Sequence, residues 1–244
     1  MKILKSAFGF AWAMWGALWF MITMMILTPI YSLILFFGGK EMAMPCIWFN
    51  FRYLGRFLLF MFCVRLKVYG KENIDPKKTF VIVANHAAQL DIIAGAASTP
   101  QPAKFLAKSE LLKVPFFGYM TKMLAIVVER GKKESREKSF RYMVVTLRKG
   151  ESIFIYPEGT RNRTTQPLKE FKDGAFRVAI MAQMPIAVQT LTNTKKLNDP
   201  NGIQLFPGTV KVYWSKPIET KGMTIEDLPA LREKVRQEML QHLV

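Results

Sequence analysis

The chain reads as an α/β domain, with helices covering a sheet, preceded by apolar N-terminal helices that embed in a membrane. Three observations carry this reading. Short β-branched runs alternate with amphipathic stretches after residue 66, no charged residue occurs from Ala7 to Phe37, and ionisable residues stand directly behind three separate apolar runs.

The N-terminal run is longer than the roughly 20 residues that a spanning helix needs. Lys2 and Lys5 precede it and Lys40 follows it. As one straight helix it would measure about 46 Å at 1.5 Å per residue, against a hydrocarbon core of about 30 Å. Pro29 is expected to kink or end that helix. A cleaved signal peptide would carry a shorter apolar core and lead into a polar chain. Here MAMPCIWFNFRYLGRFLLFMFCV is apolar again, with Arg52 and Arg56 one helical turn apart, as in an interfacial helix with snorkelling cations. Two arrangements remain open for residues 1–63: a re-entrant pair in one leaflet, or a single span plus an interfacial helix. Residues 64–244 form the α/β domain. Its basic balance predicts an inner or plasma membrane with this domain on the cytoplasmic side.

Within the domain, strands are expected at Thr79–Ala84, Lys104–Leu106, Leu124–Val128, Ser152–Tyr156, Pro185–Leu191 and Thr209–Trp214. Phe140, Met143, Val144 and Leu147 mark one helix face, and Leu228, Leu231, Val235 and Leu240 another, capped by Thr224 or Asp227. No repeat, low-complexity tract or flexible linker interrupts the series.

With 35 basic and 18 acidic residues the formal charge is +17. That charge draws the molecule toward polyanions such as nucleic acid, anionic lipid or phosphorylated substrates. Nucleic acid is disfavoured, because the aromatics concentrate in the apolar segment instead of interleaving with Lys and Arg as stacking platforms. Cys46 and Cys63 both lie in the apolar part, so neither a disulfide framework nor a thiolate metal cluster is predicted. His86 and His242 are the only histidines and H-E-x-x-H is absent, which leaves no predicted metal site. Neither a Walker A motif nor G-x-G-x-x-G occurs.

His86 follows VIVA, Glu129 and Arg130 follow LAIVV, and Glu158, Gly159 and Arg161 follow SIFIY. Open α/β sheets gather ligands at the C-terminal ends of their strands. Asp91 lies five residues after His86; on one continuous helix the two side chains would stand roughly 140° apart. They meet only if His86 lies on the turn leaving the strand and Asp91 opens the next helix. The imidazole is then oriented as a general base. The alternative is a turn histidine bonded to backbone, with Asp91 capping DIIAGAA. In YPEGTRNR, Gly159 permits close backbone approach, while Thr160 and Arg161 offer a hydroxyl and a forked cation suited to phosphate. The alternative there is a tight turn with a solvated arginine.

Taken together these blocks resemble the 1-acylglycerol-3-phosphate acyltransferase family of glycerolipid acyltransferases. NHAAQLD is similar to its N-H-x-x-x-x-D motif, AKSELLKVPFFG followed by LAIVVERG to its second block, YPEGTR to F-P-E-G-T-R with tyrosine first, and MPIAVQT to V-P-I-V-P-V without the second proline. The resemblance runs from about Val64 to Trp214. It implies a central mixed sheet flanked by helices and transfer of an acyl group from a thioester, on coenzyme A or a carrier protein, to the sn-2 hydroxyl of 1-acylglycerol 3-phosphate, giving phosphatidic acid, with another lysophospholipid or an aminolipid as the alternative acceptor. It also implies His86 as base and Asp91 as its partner, Lys108 and Arg130 at the acceptor phosphate with Arg161, and Glu158 on the acceptor's glycerol portion. Backbone N–H groups around Gly159 would hold the oxyanion. No cofactor is implied beyond the thioester. A covalent route lacks a nucleophile: no cysteine follows Cys63, and Ser152 has Gly150 before it but Phe154 after it, so no G-x-S-x-G elbow forms. A basic helix from Glu134 to Lys149 would meet anionic headgroups or stay solvated, and Arg163, Lys169 and Lys172 would meet phosphate or water. A non-catalytic, membrane-tethered phospholipid-binding module remains the rival.

Overall fold

The computed structural model describes residues 2–129, 131–199, 201 and 203–243. It opens with α1 (Lys2–Met61), β1 (Val64–Tyr69), β2 (Val81–Ala84), α2 (Leu90–Ser98), β3 (Ala103–Lys108) and α3 (Phe117–Leu124). There follow β4 (Ile126–Val128), α4 (Lys133–Arg148), β5 (Ser152–Ile155), α5 (Gly174–Ala182), β6 (Ile186–Thr192), the single turn α6 (Thr194–Leu197), β7 (Gly208–Trp214) and α7 (Leu228–Leu243). The strands form one seven-stranded sheet in the order β1-β7-β6-β2-β5-β3-β4.

The sheet is mixed, as expected. All neighbours run parallel except β6 and β7. Parallel pairing needs a crossover, and helices supply it between β2 and β3, β4 and β5, and β5 and β6. Between β6 and β7 the chain has only the one-turn α6, so β7 returns antiparallel.

Strand alternation sorts the core into two layers. Val81, Val83, Ile153, Ile155, Ile186 and Val188 face α4, α5 and α7. Phe80, Ile82, Ala84, Phe154 and Ala187 face α2 and the end of α1, where Leu58, Leu59 and Phe62 share one cluster with Val64 and Ile74. The predicted stripe of α4 is buried at Met143, Val144 and Leu147 with Phe140 at its margin, and that of α7 at Leu231 and Val235, joined by Met239. Thr224 and Asp227 form a reciprocal capping box ahead of α7. α4 packs on the sheet layer opposite the one that α1 covers.

All six expected strands are found, each with its bounds shifted by one or two residues. Phe80 gives its N–H to the Ser152 hydroxyl, so β2 starts at Val81, and Leu124 closes α3, so β4 keeps only Ile126–Val128. β1 was not expected; its alternating apolar and charged residues form an edge strand on β7.

Pro29 does not end the first helix. The helix runs through it, and the flanking Thr28 and Ser32 hydroxyls bond back to the Met24 and Thr28 carbonyls at 2.7 Å. The break falls at Gly39, whose φ of 64° favours glycine. The two legs fold back on each other: Trp12 and Trp15 donate to the carbonyls of Phe62 and Met61, both at 3.0 Å. Trp19 packs edge-on against Phe57. Arg52 and Arg56 therefore sit on the returning leg. Ile3–Gly39 is long and apolar enough to cross a membrane by length and composition. Its side chains are largely exposed, with Phe36 and Phe37 at 81% and 80%.

Candidate active site

β2 leads into Asn85, whose side-chain amide pairs with both the N–H and the carbonyl of Leu191 at 2.7 and 2.9 Å. This fastens the strand end to β6 and turns the chain into His86. Asp91 lies in the first turn of α2, and its Oδ2 accepts the Ala87 and Ala88 amides at 2.6 Å each and meets His86 Nδ1 at 3.0 Å. The turn geometry thus brings histidine and aspartate together in the way their spacing required. The Asp91 side chain is fully buried, while His86 retains 14% exposure. Pairing through Nδ1 leaves Nε2 as the ring nitrogen available to a ligand.

A helix start carries unpaired amides. Those of Ala87 and Ala88 go to Asp91, and those of Gln89 and Leu90 go to Asn198 Oδ1 at 3.0 and 3.2 Å. Two side chains therefore tie down the entire turn.

The loop after β5 grips His86 by its backbone. Glu158 Oε1 accepts the His86 N–H at 2.6 Å, and the His86 carbonyl accepts the Asn162 N–H at 2.6 Å. The other Glu158 oxygen accepts the Lys169 N–H at 2.9 Å. Glu158 is 2% exposed, and its burial pushes its carboxyl above the usual range, partly opposed by these two amide hydrogen bonds. Its carboxylate is committed to backbone and is absent from the cavity wall, so the expected contact with a substrate's glycerol portion does not fit this geometry. Gly159 adopts φ 75°, and its N–H is engaged with the Tyr156 carbonyl at 3.0 Å. It is therefore not a free oxyanion donor. Thr160 and Arg161 follow it on the wall, and among the described residues their amides donate no hydrogen bond.

His86 borders a cavity of about 780 Å³. Its apolar walls come from both legs of α1 (Phe20, Met24, Leu27 and Leu58), from α2 (Ile92 and Ile93) and from Phe105, Phe117 and Met120. Lys108, Gly159, Thr160, Arg161, Arg163 and Lys169 share the wall with His86. Lys108 pairs with Glu110 at 2.5 Å and Lys169 Nζ reaches the Thr160 hydroxyl at 2.7 Å. Glu129 lies elsewhere, paired with Lys132 at 3.0 Å, and Lys172 is exposed. Arg130 lies outside the described residues.

Three contributors were missed in the sequence. Tyr156 stacks on the His86 ring at 4.3 Å and 25°. Strand parity places it on the face of Phe154 and offers the signal that could have found it. Asn85 stands inside the N-H-x-x-x-x-D block but carried no assigned role. Asn198 has no local signal, being more than 100 residues from the amides it holds.

A family model described as Acyltransferase matches residues 65–190, just over half of the chain. The chain belongs to the acyltransferase family. Among its relatives, the 1-acyl-sn-glycerol-3-phosphate acyltransferase of Saccharomyces cerevisiae is 30% identical over 199 residues, covering 80% of this chain and 65% of that protein. The alpha form from Homo sapiens is 29% identical over 183 residues, covering 74% of this chain and 64% of that protein. The chain thus spans just under two thirds of the length of these relatives. The crystal structure of the 1-acyl-sn-glycerophosphate (LPA) acyltransferase PlsC from Thermotoga maritima superposes with a TM-score of 0.83 at 20% identity, covering 98% of this chain and 96% of that one. The likeness extends the shared fold through the N-terminal hairpin. The family match contains His86, Lys108, Tyr156, Gly159, Thr160 and Arg161, which line the cavity, and Asp91 and Glu158, which hold His86 from behind.

Proposed function

We propose that this protein transfers a fatty acyl group from an acyl thioester to the sn-2 hydroxyl of 1-acylglycerol 3-phosphate, giving phosphatidic acid. The thioester is carried on coenzyme A or on a carrier protein, and no further cofactor takes part. One observation carries the reading. A histidine–aspartate pair borders an apolar cavity whose same wall holds Lys108 and Arg161.

His86 Nε2 takes the proton of the acceptor hydroxyl as its oxygen attacks the thioester carbonyl carbon. The resulting oxyanion meets the amides of Thr160 and Arg161. It collapses with cleavage of the C–S bond, and the departing thiolate takes the proton back from the imidazolium. Asp91 stabilises that imidazolium, a contribution of about 10² to 10⁴ in rate. No acyl-enzyme forms. Lys108 and Arg161 hold the acceptor phosphate, with Arg130 as a further cation there, and the apolar cavity receives acyl chain, its size being within the usual range for ligand sites.

Residues 1–63 act as a membrane anchor and residues 64–244 as the catalytic domain. The hairpin supports a re-entrant arrangement, because both of its ends return to the domain and its bend at Gly39 lies away from it. Exposed Leu18, Ile26, Leu33 and Phe36 then face lipid. A lysolipid reaches the cavity from the bilayer without lifting its chain into water, at about 0.8 kcal/mol per methylene. The basic domain lies on the cytoplasmic side of an inner or plasma membrane, attracted to anionic lipid.

The test is purified full-length protein in detergent, assayed with a panel of lysolipids and aminolipids against both donor types, beside His86→Ala. Lysophosphatidate turnover that falls by about 10² or more in the variant supports the mechanism. Undiminished transfer by His86→Ala would falsify it. Binding of phospholipid without any transfer would favour the tethered binding module, and preference for another acceptor would reassign the substrate.

A further inference from the structure

We propose that Tyr156 is a positioning residue that locks the plane of the His86 imidazole, a role that rests on the acyl-transfer reading of this site. Rotation about the bond joining an imidazole to its Cβ is broad and roughly two-fold, so the plane of the His86 ring depends on the single Asp91 hydrogen bond and swings whenever that bond stretches or breaks. Tyr156 restrains the same rotation from the ring face. Its ring lies 4.3 Å from the His86 ring, inclined by only 25°, and a flip exchanging Nδ1 with Cδ2 and Nε2 with Cε1 would pass through the space it fills.

The clamp is itself held. The Tyr156 hydroxyl donates to the backbone carbonyl of Asp91 at 3.1 Å. The residue that supplies the carboxylate to one edge of the imidazole therefore also anchors the ring covering its face. Gly95 leaves room for this contact, since a Cβ there would stand 3.3 Å from the hydroxyl. Phe154, two residues earlier on the same face, packs against Tyr156 at 5.2 Å and backs it from the core. The aromatic face also presents negative potential to the imidazolium that forms during proton transfer. Stack and hydroxyl have separable tasks: the stack orients His86, and the hydroxyl holds the stack.

The experiment compares Tyr156→Phe, which keeps the ring, with Tyr156→Leu, which removes it, in the full-length chain in detergent micelles. Circular dichroism checks that each variant is folded. The chain has two histidines, so an imidazole Cε1–H correlation spectrum contains two signals, assigned with His242→Gln. In wild type and Tyr156→Phe the His86 signal lies upfield through the ring current of residue 156, and in Tyr156→Leu it moves downfield. His242, stacked on Tyr213 at 4.3 Å, is the internal control and stays in place. In parallel, kcat of Tyr156→Leu falls roughly 10- to 100-fold with the lysolipid KM within about twofold, while Tyr156→Phe keeps kcat within about threefold.

The inference is overturned if the His86 signal of Tyr156→Leu stays where it is in wild type, if the signal moves but turnover does not, or if kcat and KM change together as for a simple wall residue. A wild-type chain inactive with every donor and acceptor ends the acyl-transfer reading and this role with it. An active wild type with an equally active Tyr156→Leu ends this inference alone.

Discussion

Glu158→Gln preserves the size of a buried side chain and exchanges one oxygen for an NH2 group. In the native structure each carboxylate oxygen serves one backbone donor, His86 N–H at 2.6 Å and Lys169 N–H at 2.9 Å. Glutamine has one acceptor, so its NH2 must face the other amide. The loss is one charge-assisted hydrogen bond, worth about 1.5–3 kcal/mol, with a buried donor left unpaired. Against this stands the relief of desolvation that pushes the Glu158 carboxyl upward. The expected net destabilisation is about 1–3 kcal/mol, a few degrees in Tm for a chain of this size. A displaced His86 turn lowers kcat by roughly 10- to 100-fold.

The same substitution predicts a pH signature. A carboxyl whose folded pKa is raised binds more protons in the native state than in the unfolded one between the two values, so stability falls as pH rises through that interval. The interval runs upward from the ordinary glutamate range, and above its top the whole cost of the buried charge is present. Glutamine does not titrate. The stability difference between wild type and variant is therefore largest below the interval and narrows across it as pH rises. Denaturant melts at a series of pH values, paired with lysolipid turnover, read both effects. Identical melting and turnover at every pH would refute the bracing role assigned to Glu158.

Other substitutions separate the parts of the site. Arg161→Gln removes a wall cation and is expected to raise the KM for lysophosphatidate about tenfold while leaving donor KM in place, read from initial rates with each substrate varied. Asn198→Ala strips the acceptor from the Gln89 and Leu90 amides, so Tm drops by the equivalent of a lost helix cap, about 1 kcal/mol, in thermal melts. Gly55→Val forces a side chain into the contact between α1 and α2, where even a bare Cβ would lie 3.0 Å from the Ala97 Cβ. Overpacking there costs about 1–3 kcal/mol and loosens the hairpin, seen as a lower Tm and faster proteolysis of the anchor.

Much of the fold was legible because β2, β5 and most of β6 are buried on both faces and read as unbroken apolar runs. α5 was not, because six of its nine residues are buried and Arg177 is the one charged residue in GAFRVAIMA, too little to reveal a helical period. β1 escaped for a different reason. Its alternation is regular, but it begins three residues after a 60-residue helical segment and is short enough to pass for the end of that apolar stretch. Pro29 was the expected break, and Gly39 is the observed one. Propensity alone favours proline as the breaker, yet the helix continues through Pro29, while Gly39 accommodates the positive φ at which the two legs meet.

At the site, legibility followed the range of each interaction. His86 and Asp91 were readable as a pair because five residues of chain leave few ways for them to meet. Glu158 was recognised as important but given the wrong neighbours, since its partners are backbone amides at positions 86 and 169, and a sequence pattern does not display which amides lack a partner. The same logic explains why the YPEGTR block follows the N-H-x-x-x-x-D block as a separate strand end instead of extending it. The His86 backbone is held at its N–H by Glu158 and at its carbonyl by Asn162, so the loop after β5 serves as a mould for the turn after β2. Parallel pairing of β2 with β5 brings the two strand ends side by side, and the carboxylate that completes the grip has to be buried to reach between them. The group facing the substrate is thus positioned largely by groups that do not face it.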